Sequence, residues 1–359
     1  MRLDDFFKIP PYGLNKNEKR EMVLPEFKKL INYHYLNCIE YRNILSGLNI
    51  NIDNIYDFSN VPYIPVRLFK EFDLLSVPKE DIKRVIKSSG TTSQISSKIY
   101  LDQETSILQQ KALIHIVSDF LGKDRMPMLI LDSSNVLRDK TAFSTRGAGI
   151  LGFSTLGRSI EYALDENMSL NIEKVENFLS KHKGEKIYLF GFTYIIWEHF
   201  YKSLKLSSKR IDFSNATLIH GGGWKKLISE QVSPSKFNQL MFEVCGLEKI
   251  YQNYGMAEQT GSIFMECEHG YLHVSNFSEI FTRKTKDFSI CDFGEKGILQ
   301  VMSILPGSYI GHSLLTEDEG VIVGEDDCEC GRKGKYFKIL GRLKTAELRG
   351  CSDTYERND

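Results

Sequence analysis

The middle third of this chain repeats one texture that sharply limits its fold. Short apolar runs end in loops of glycine, hydroxyl or acidic residues: "PMLILDSS", "KIYLFGF", "ATLIHGGGWKKL" and "KIYQNYGMAEQTG". The first is a short apolar strand of the kind buried on both faces, and the others repeat the pattern of an apolar run followed by a Gly-rich or polar loop. Helical stretches alternate with them, as in "DQETSILQQKALIHIVSDFLG" and "TYIIWEHFYKSL". In the first of these, Asp102 is placed to cap the N-terminus, Glu104 falls in the first turn, and Gly122 stops the helix. Its apolar face is expected to run through Leu113, Val117, Phe120 and Leu121. Such alternation predicts an α/β fold with a partly parallel sheet. Ligands of open α/β sheets gather at the carboxyl ends of the strands.

The flanks read differently. Up to about residue 55 the pattern is helical, with Leu24, Phe27, Leu30, Ile31, Tyr35 and Cys38 at helical spacing. Prolines 62, 65 and 78 then mark turns. "IKRVIK" and "SKIYLD" read as strands on either side of the hydroxyl-rich loop "SSGTTSQIS". Beyond residue 270, "GYLHVSNFSEIFTR", "GILQVMSIL", "HSLLTEDEGVIV" and "KYFKILGR" are strand-like pieces split by glycines and acids. They predict an antiparallel β subdomain over about 270–340. The end, "LKTAELRGCSDTYERND", is a polar tail.

With 42% hydrophobic and 26% charged residues, an ordinary core can form. The 46 basic residues are matched by 47 acidic ones, so nothing in the charge argues for nucleic acid or an anionic membrane as partner. The N-terminal stretch lacks the apolar core of a signal peptide. "IYLFGFTYIIW" is too short to span a bilayer. The expectation is a soluble, cytoplasmic protein. Seven cysteines leave at least one thiol without a partner, which directs attention to metal or reactive roles.

Several segments carry chemistry. Ser88, Ser89, Thr91 and Thr92 supply hydroxyl donors around Gly90, which lets backbone N–H groups approach an anion. No Gly-Lys-Ser/Thr follows, so this is not a Walker loop. Three glycines, Gly221, Gly222 and Gly223, follow an apolar strand and allow close backbone approach. "NYGMAEQTG" brings Tyr254, Gly255 and Glu258, a carboxylate able to hold Mg²⁺ on a triphosphate. Asp318 could hold ribose hydroxyls, and "ILGRLK" adds Arg342. A second group comprises Cys267 and His273 of "ECEHGYLH" and Cys328 and Cys330 of "CECGR", with His269 as alternate. It could complete a tetrahedral, structural Zn²⁺ site, or simply be a set of thiols.

The order SSGTT, GGG, YGxxE, T-x-D-x-G and GR resembles the adenylate-forming superfamily, and within it the acyl-protein synthetase (LuxE-type) family. The resemblance covers nearly the whole chain. It implies a large N-terminal adenylate-forming domain over 1–340 with a β subdomain, and a short tail, 341–359, in place of the usual mobile C-terminal domain. It implies ATP and Mg²⁺ as cofactors. Ser88, Ser89, Gly90, Thr91 and Thr92 would grip the ATP phosphates, and Gly221–Gly223 would line the adenine. Tyr254, Gly255 and Glu258 would lie at the acyl-adenylate and Mg²⁺. Asp318 would hold the ribose, and Arg342 would meet phosphate or ribose. Three departures stand out: the usual T-G-D triplet reads Thr316-Glu317-Asp318, the hydroxyl loop lacks the Gly-x-Pro-Lys-Gly ending of many synthetases, and in place of the catalytic lysine of a C-terminal domain Lys344 is the candidate. Cys351 corresponds to the tail cysteine that accepts the acyl group, and Arg349 nearby favours its thiolate. The implied activity is ATP-dependent activation of a carboxylic acid, with a fatty acid favoured by the resemblance, and its transfer to a thiol, its own Cys351, for delivery to a reductase subunit. Transfer to coenzyme A or a carrier protein, and a non-catalytic binding subunit on the same fold, are the alternatives.

Overall fold

The computed structural model describes residues 3–88, 96–137 and 143–343. Asn15 starts the first α-helix, α1 (Lys16–Met22), with a reciprocal capping box: its side chain accepts from the N–H groups of Asn17 and Glu18, while Glu18 accepts from the Asn15 N–H at 2.9 Å. The helical stretch then breaks into α2 (Leu24–Asn37) and α3 (Ile39–Gly47). Pro25 is tolerated only in a first turn, and Cys38 leaves the helical region at φ −118°, ψ 110°. Leu24, Phe27, Ile31 and Cys38 are buried as the spacing predicts, while Leu30 and Tyr35 are half-buried.

A two-residue strand, β1 (Ile64–Pro65), follows, then a hairpin in which β2 (Arg84–Lys87) pairs antiparallel with β3 (Lys98–Leu101). The helix α4 (Gln103–Leu121) begins where expected: Asp102 accepts the Thr105 N–H at 2.8 Å, and Gly122 ends the helix at φ +86°. Its buried face is Thr105, Gln109, Ala112, Leu113, Ile116 and Val117, whereas Phe120 and Leu121 stay half-exposed. Phe120 keeps the register of that stripe, i+4 from Ile116, and its ring meets Tyr251 edge-on at 5.1 Å, whereas Leu121 falls at the edge of the stripe.

The chain divides into two compact units. One joins the residues up to Asp119 with those from Gly255 onward, and Phe120–Tyr254 form the other. In the latter, chain order is β4 (Met126–Ser133), β5 (Phe143–Ser144), α5 (Thr145–Ser154), β6 (Gly157–Leu164), α6 (Ile172–Lys181) and β7 (Ile187–Phe192). Then come α7 (Thr193–Ile195), a π-helical turn (Ile196–Tyr201), α8 (Lys202–Leu206), β8 (Ala216–Gly221), α9 (Pro234–Cys245) and β9 (Lys249–Tyr254). The strands lie in the order β9-β8-β7-β4-β6, every pair parallel. Leu129, Leu189, Leu218, Phe200 and Met241 form its core, and Phe153 of α5 stacks on Phe190 at 4.2 Å. The strands β4, β7, β8 and β9 are marked in the sequence, whereas β6, α5, α6 and α9 are not. The edge strand β6 is exposed from Arg158 to Ile160, so it shows no apolar run.

The other unit is antiparallel in its second half, as predicted. Its strands are β10 (Phe264–Glu266), β11 (Leu272–His273), β12 (Ser278–Arg283), β13 (Lys296–Ser303), β14 (Ser313–Glu325) and β15 (Lys335–Arg342). They lie in the order β12-β13-β14-β15-β11-β10, with β1 added parallel to β14. Among the described residues no helix is long and apolar enough to cross a membrane.

A polar core binds the N-terminal helices to these strands. His34 of α2 stacks on His312 at 4.9 Å, bonds Ser76 Oγ through Nδ1 (2.7 Å) and the Pro306 carbonyl through Nε2 (3.0 Å), while Tyr41 bonds His312 Nε2 at 3.0 Å. Burial lowers the His34 pKa to about 3 and that of His312 well below its ordinary value. Burial likewise lowers His220 to about 4. These histidines stay neutral when folded but take up protons near pH 6.5 when unfolded, so their contribution is present above that pH and is lost as pH falls toward the folded pKa. Urea midpoints should therefore fall modestly from pH 7 to 6 and more steeply from pH 6 to 5, where each such histidine approaches about 1.4 kcal/mol per pH unit. A His312→Gln variant should show a shallower drop, and an unchanged slope would exclude His312 from it.

Candidate functional site

At the carboxyl ends of β7 and β8 a small polar network fixes the glycine loop. The Thr193 hydroxyl donates to the Gly221 carbonyl at 3.1 Å and lies 2.9 Å from His220 Nδ1. A hydroxyl has one proton, so the His220 Nδ1–H donates to it in this arrangement. Asn253 of β9 donates to the His220 carbonyl at 2.9 Å, and the His220 ring stacks on Phe237 at 4.8 Å. The three glycines then differ in what demands them. A Cβ on Gly221 would stand 2.6 Å from Asn253 Oδ1, and Gly222 adopts φ +76° with Phe192 Cδ1 3.2 Å from its Cβ position. Gly223 is exposed, and a Cβ there would meet nothing within 4 Å. Protein packing thus accounts for Gly221 and Gly222, while Gly223 leaves bare backbone facing open space. Trp224, in edge contact with Trp197 at 4.9 Å, anchors the far side of the loop.

Asp132 at the end of β4 holds Arg146 of α5, with Arg146 Nε donating to Oδ2 at 2.7 Å and Nη2 to Oδ1. Both are buried, and the aspartate raises the arginine's pKa against the cost of burial. This pair, Thr193 and Asn253 are functional neighbours that no motif in the sequence marks. The acid of "LDSS" after an apolar run is the one signal that points to the pair.

In the other unit, Glu258 sits in a short turn (Ala257–Gln259), 3% exposed. Its neighbours hold the turn rigidly. Gln259 donates to the carbonyls of Val301 (3.0 Å) and Gly311 (2.7 Å), and Gly261, at φ +86°, lies against the Gln109 backbone, where a Cβ would come within 2.6 Å. A Cβ on Gly311 would strike the Glu258 carbonyl at the same distance. Asp318 on β14 faces Arg342 across the β14–β15 ladder. The Thr316 hydroxyl donates to the Leu299 carbonyl (2.9 Å) and accepts the Asp318 N–H (3.1 Å). Arg342 Nη2 donates to Glu317 at 2.9 Å, so the acid standing in the usual glycine position engages the arginine expected at the nucleotide. Ser88 closes the neck of the β2–β3 hairpin: its Oγ accepts the Ser97 N–H at 2.9 Å, and its own N–H donates to Ser97 O at 3.0 Å. Ser89, Gly90, Thr91, Thr92, Lys344 and Cys351 lie outside the described residues. Tyr254 is half-buried at the end of β9, and Gly255 is exposed.

Cys267, His273, Cys328 and Cys330 converge, their ligating atoms all within 4.8 Å of one another. His269 is instead at the surface, 3.6 Å from Glu329. Cys38, Cys245 and Cys291 are buried singly. Burial raises the Cys38 thiol to about 11 and the Cys245 thiol, which donates to the Met241 carbonyl, to about 12.

The parallel sheet with its glycine loop, followed in the chain by the antiparallel strands, is the fold of adenylate-forming ligases. The structure of 2-hydroxyisobutyryl-CoA ligase in an open conformation with 2-HIB-AMP and CoA aligns with a TM-score of 0.72 at 13% identity, over 92% of this chain and 76% of that one. The same enzyme in its postadenylation state gives 0.74 at 14% identity, over 92% and 69%. The chain belongs to the family described as acyl-protein synthetase, LuxE, whose model matches residues 2–358, and it is an enzyme by that membership. It is 25% identical over 366 residues to a long-chain-fatty-acid–luciferin-component ligase of Aliivibrio fischeri, covering 98% of this chain and 92% of the relative. It is 24% identical to the protein of that name from Vibrio harveyi, over the same shares of each.

Proposed function

We propose that this protein activates a long-chain fatty acid with ATP and passes the acyl group to its own Cys351, from which a reductase subunit takes it. The match to the acyl-protein synthetase family across residues 2–358 carries this reading. The geometry supports it through a buried carboxylate, Glu258, on a clamped turn, and through Gly223, whose backbone lies open where packing asks for nothing. Residues 1–340 are taken as the adenylating domain and 341–359 as the tail that bears the acceptor.

In the first step a carboxylate oxygen attacks the α-phosphorus of ATP. The bond to the β-phosphate oxygen breaks, and pyrophosphate leaves with the electron pair. Mg²⁺, when bound, supplies positive charge against the phosphate oxygens, and the hard carboxylate oxygens of Glu258 suit it. Ser88, Ser89, Gly90, Thr91 and Thr92 hold the phosphates, Gly221–Gly223 line the adenine, Tyr254 and Gly255 lie at the acyl-adenylate, and Asp318 holds the ribose. Fixed donors of this kind act where charge develops in the transition state. In the second step the Cys351 thiolate attacks the acyl carbon, AMP departs with the electron pair, and a thioester remains on the chain.

Carboxylate-dependent exchange of labelled pyrophosphate into ATP tests the adenylation directly. The wild-type protein should support exchange with long-chain fatty acids and much less with acetate. Absence of exchange across a panel of fatty and aromatic acids would sink the reading.

A further inference from the structure

Two turns in the antiparallel unit share one design. Cys267–Gly270 and Cys328–Gly331 are each four residues long, and in each the glycine N–H donates to the cysteine carbonyl at 2.9 Å. Both glycines are left-handed, at φ +74° and +81°. Backbone N–H groups point at the leading sulfur of each turn: those of His269 and Tyr271 at Cys267, and that of Cys330 at Cys328. Cys330 and His273 of β11 complete the group, with Cys330 Sγ 3.3 Å from His273 Nε2.

We infer that these four residues bind one structural Zn²⁺, through three thiolates and a neutral imidazole. Zn–S bonds of about 2.3 Å and Zn–N bonds of about 2.0 Å put neighbouring tetrahedral ligand atoms about 3.5–3.8 Å apart. The observed group, all within 4.8 Å with one pair at 3.3 Å, closes to that geometry by sub-ångström shifts. Soft sulfur ligands in a tetrahedral set select zinc over magnesium or calcium. Binding releases three thiol protons to solvent and changes no oxidation state. The surroundings hold the ligands in place. Tyr336 stacks on the His273 ring at 5.7 Å, Tyr12 meets it edge-on at 6.0 Å, and Arg332 donates to the Cys330 sulfur. Arg332 also donates to Asp119 of α4 (2.9 Å) and to Glu268 (3.2 Å), which extends the ordered shell to a helix end. Four protein ligands close the coordination sphere, so this ion stabilises the fold and takes no part in chemistry. It fastens the β10–β11 turn to the closed end of the β14–β15 hairpin, whose ladder runs from Glu325 opposite Lys335 to Asp318 opposite Arg342.

The full chain, expressed in zinc-supplemented medium and purified without chelators, is to be assayed by plasma mass spectrometry. About one zinc per chain is expected, with Cys328→Ser retaining less than about a tenth of it. Two variants keep the result independent of misfolding. His269→Ala, at an exposed position, should keep full zinc, and Cys291→Ser, outside the cluster, should do likewise. Cobalt-grown wild-type protein should show the strong visible bands of tetrahedral cobalt–thiolate, and these should be absent from Cys330→Ser. Wild-type protein with no stoichiometric metal, or with iron in its place, overturns the inference, as does undiminished zinc in Cys328→Ser or its loss in His269→Ala.

Discussion

Cys351→Ser is expected to abolish a hydroxylamine-labile acyl label on the chain while leaving pyrophosphate exchange at the wild-type level. The two readouts separate because the proposed steps use different residues. Adenylation needs donors for the phosphates, whereas transfer needs a thiolate. A serine hydroxyl at the same place lacks the acidity to provide an equivalent nucleophile near neutral pH. Tethering makes the transfer intramolecular, with an effective concentration in about the millimolar range. The assay is incubation with labelled fatty acid and ATP, a denaturing gel, and treatment with neutral hydroxylamine. A label that persists in Cys351→Ser as a thioester would assign the acceptor to another cysteine. A wild type that never labels yet forms acyl-CoA would move the acceptor to coenzyme A.

Glu258→Gln should lower the exchange rate by about a hundredfold or more, the usual loss when one group stabilising transition-state charge is removed. The substitution keeps shape and burial, so the melting temperature should move little. Gln259→Ala makes the opposite split. Its amide donates to two buried carbonyls, Val301 and Gly311, and losing such donors costs about 1–3 kcal/mol for each acceptor left unsatisfied. That variant should melt at a markedly lower temperature, with activity falling through instability. Equal melting shifts in both variants, with equal activity losses, would reduce Glu258 to a packing residue.

How much of this was readable beforehand depends on the kind of signal. The helix from Gln103 to Leu121 is written into its ends, since Asp102 and Gly122 each act through their own backbone neighbourhood. The strands β4, β7 and β8 are buried nearly throughout and read as apolar runs, β9 is marked by its Ile-Tyr start and the polar loop after it, and β14 and β15 are set off by glycines and acids. The strand β6 is legible only as polar sequence, and α5, with its glycines at 147, 149 and 152, looks like a loop. In the site, the motif residues stand out by composition. The groups that hold them do not: Asn253 and Gln259 are amides distant in sequence from the backbone they support, and no local pattern marks an amide as buried. The pairing of Arg342 with Glu317 is likewise a cross-strand event, visible only once β14 and β15 are in register. The four zinc-ligand candidates were legible as residue types in two short segments, and their convergence is a product of the β11–β15 pairing.

An acyl-adenylate is an undiscriminating electrophile, and a protein that makes one beside its own thiols risks acylating itself in the wrong place. The buried cysteines bear on that risk. With its thiol raised to about 11, Cys38 has a thiolate fraction on the order of 10⁻⁴ near neutral pH, and Cys245, at about 12, one on the order of 10⁻⁵. Neither is open to an incoming acyl chain, since both are at most 4% exposed. Folding thus acts as a chemical protecting group for these side chains, and loosening the core removes it. Partial denaturation during turnover would show as stray thioesters on Cys38 and Cys245, which makes the distribution of acyl groups along the chain a chemical record of how intact the fold was while the enzyme worked.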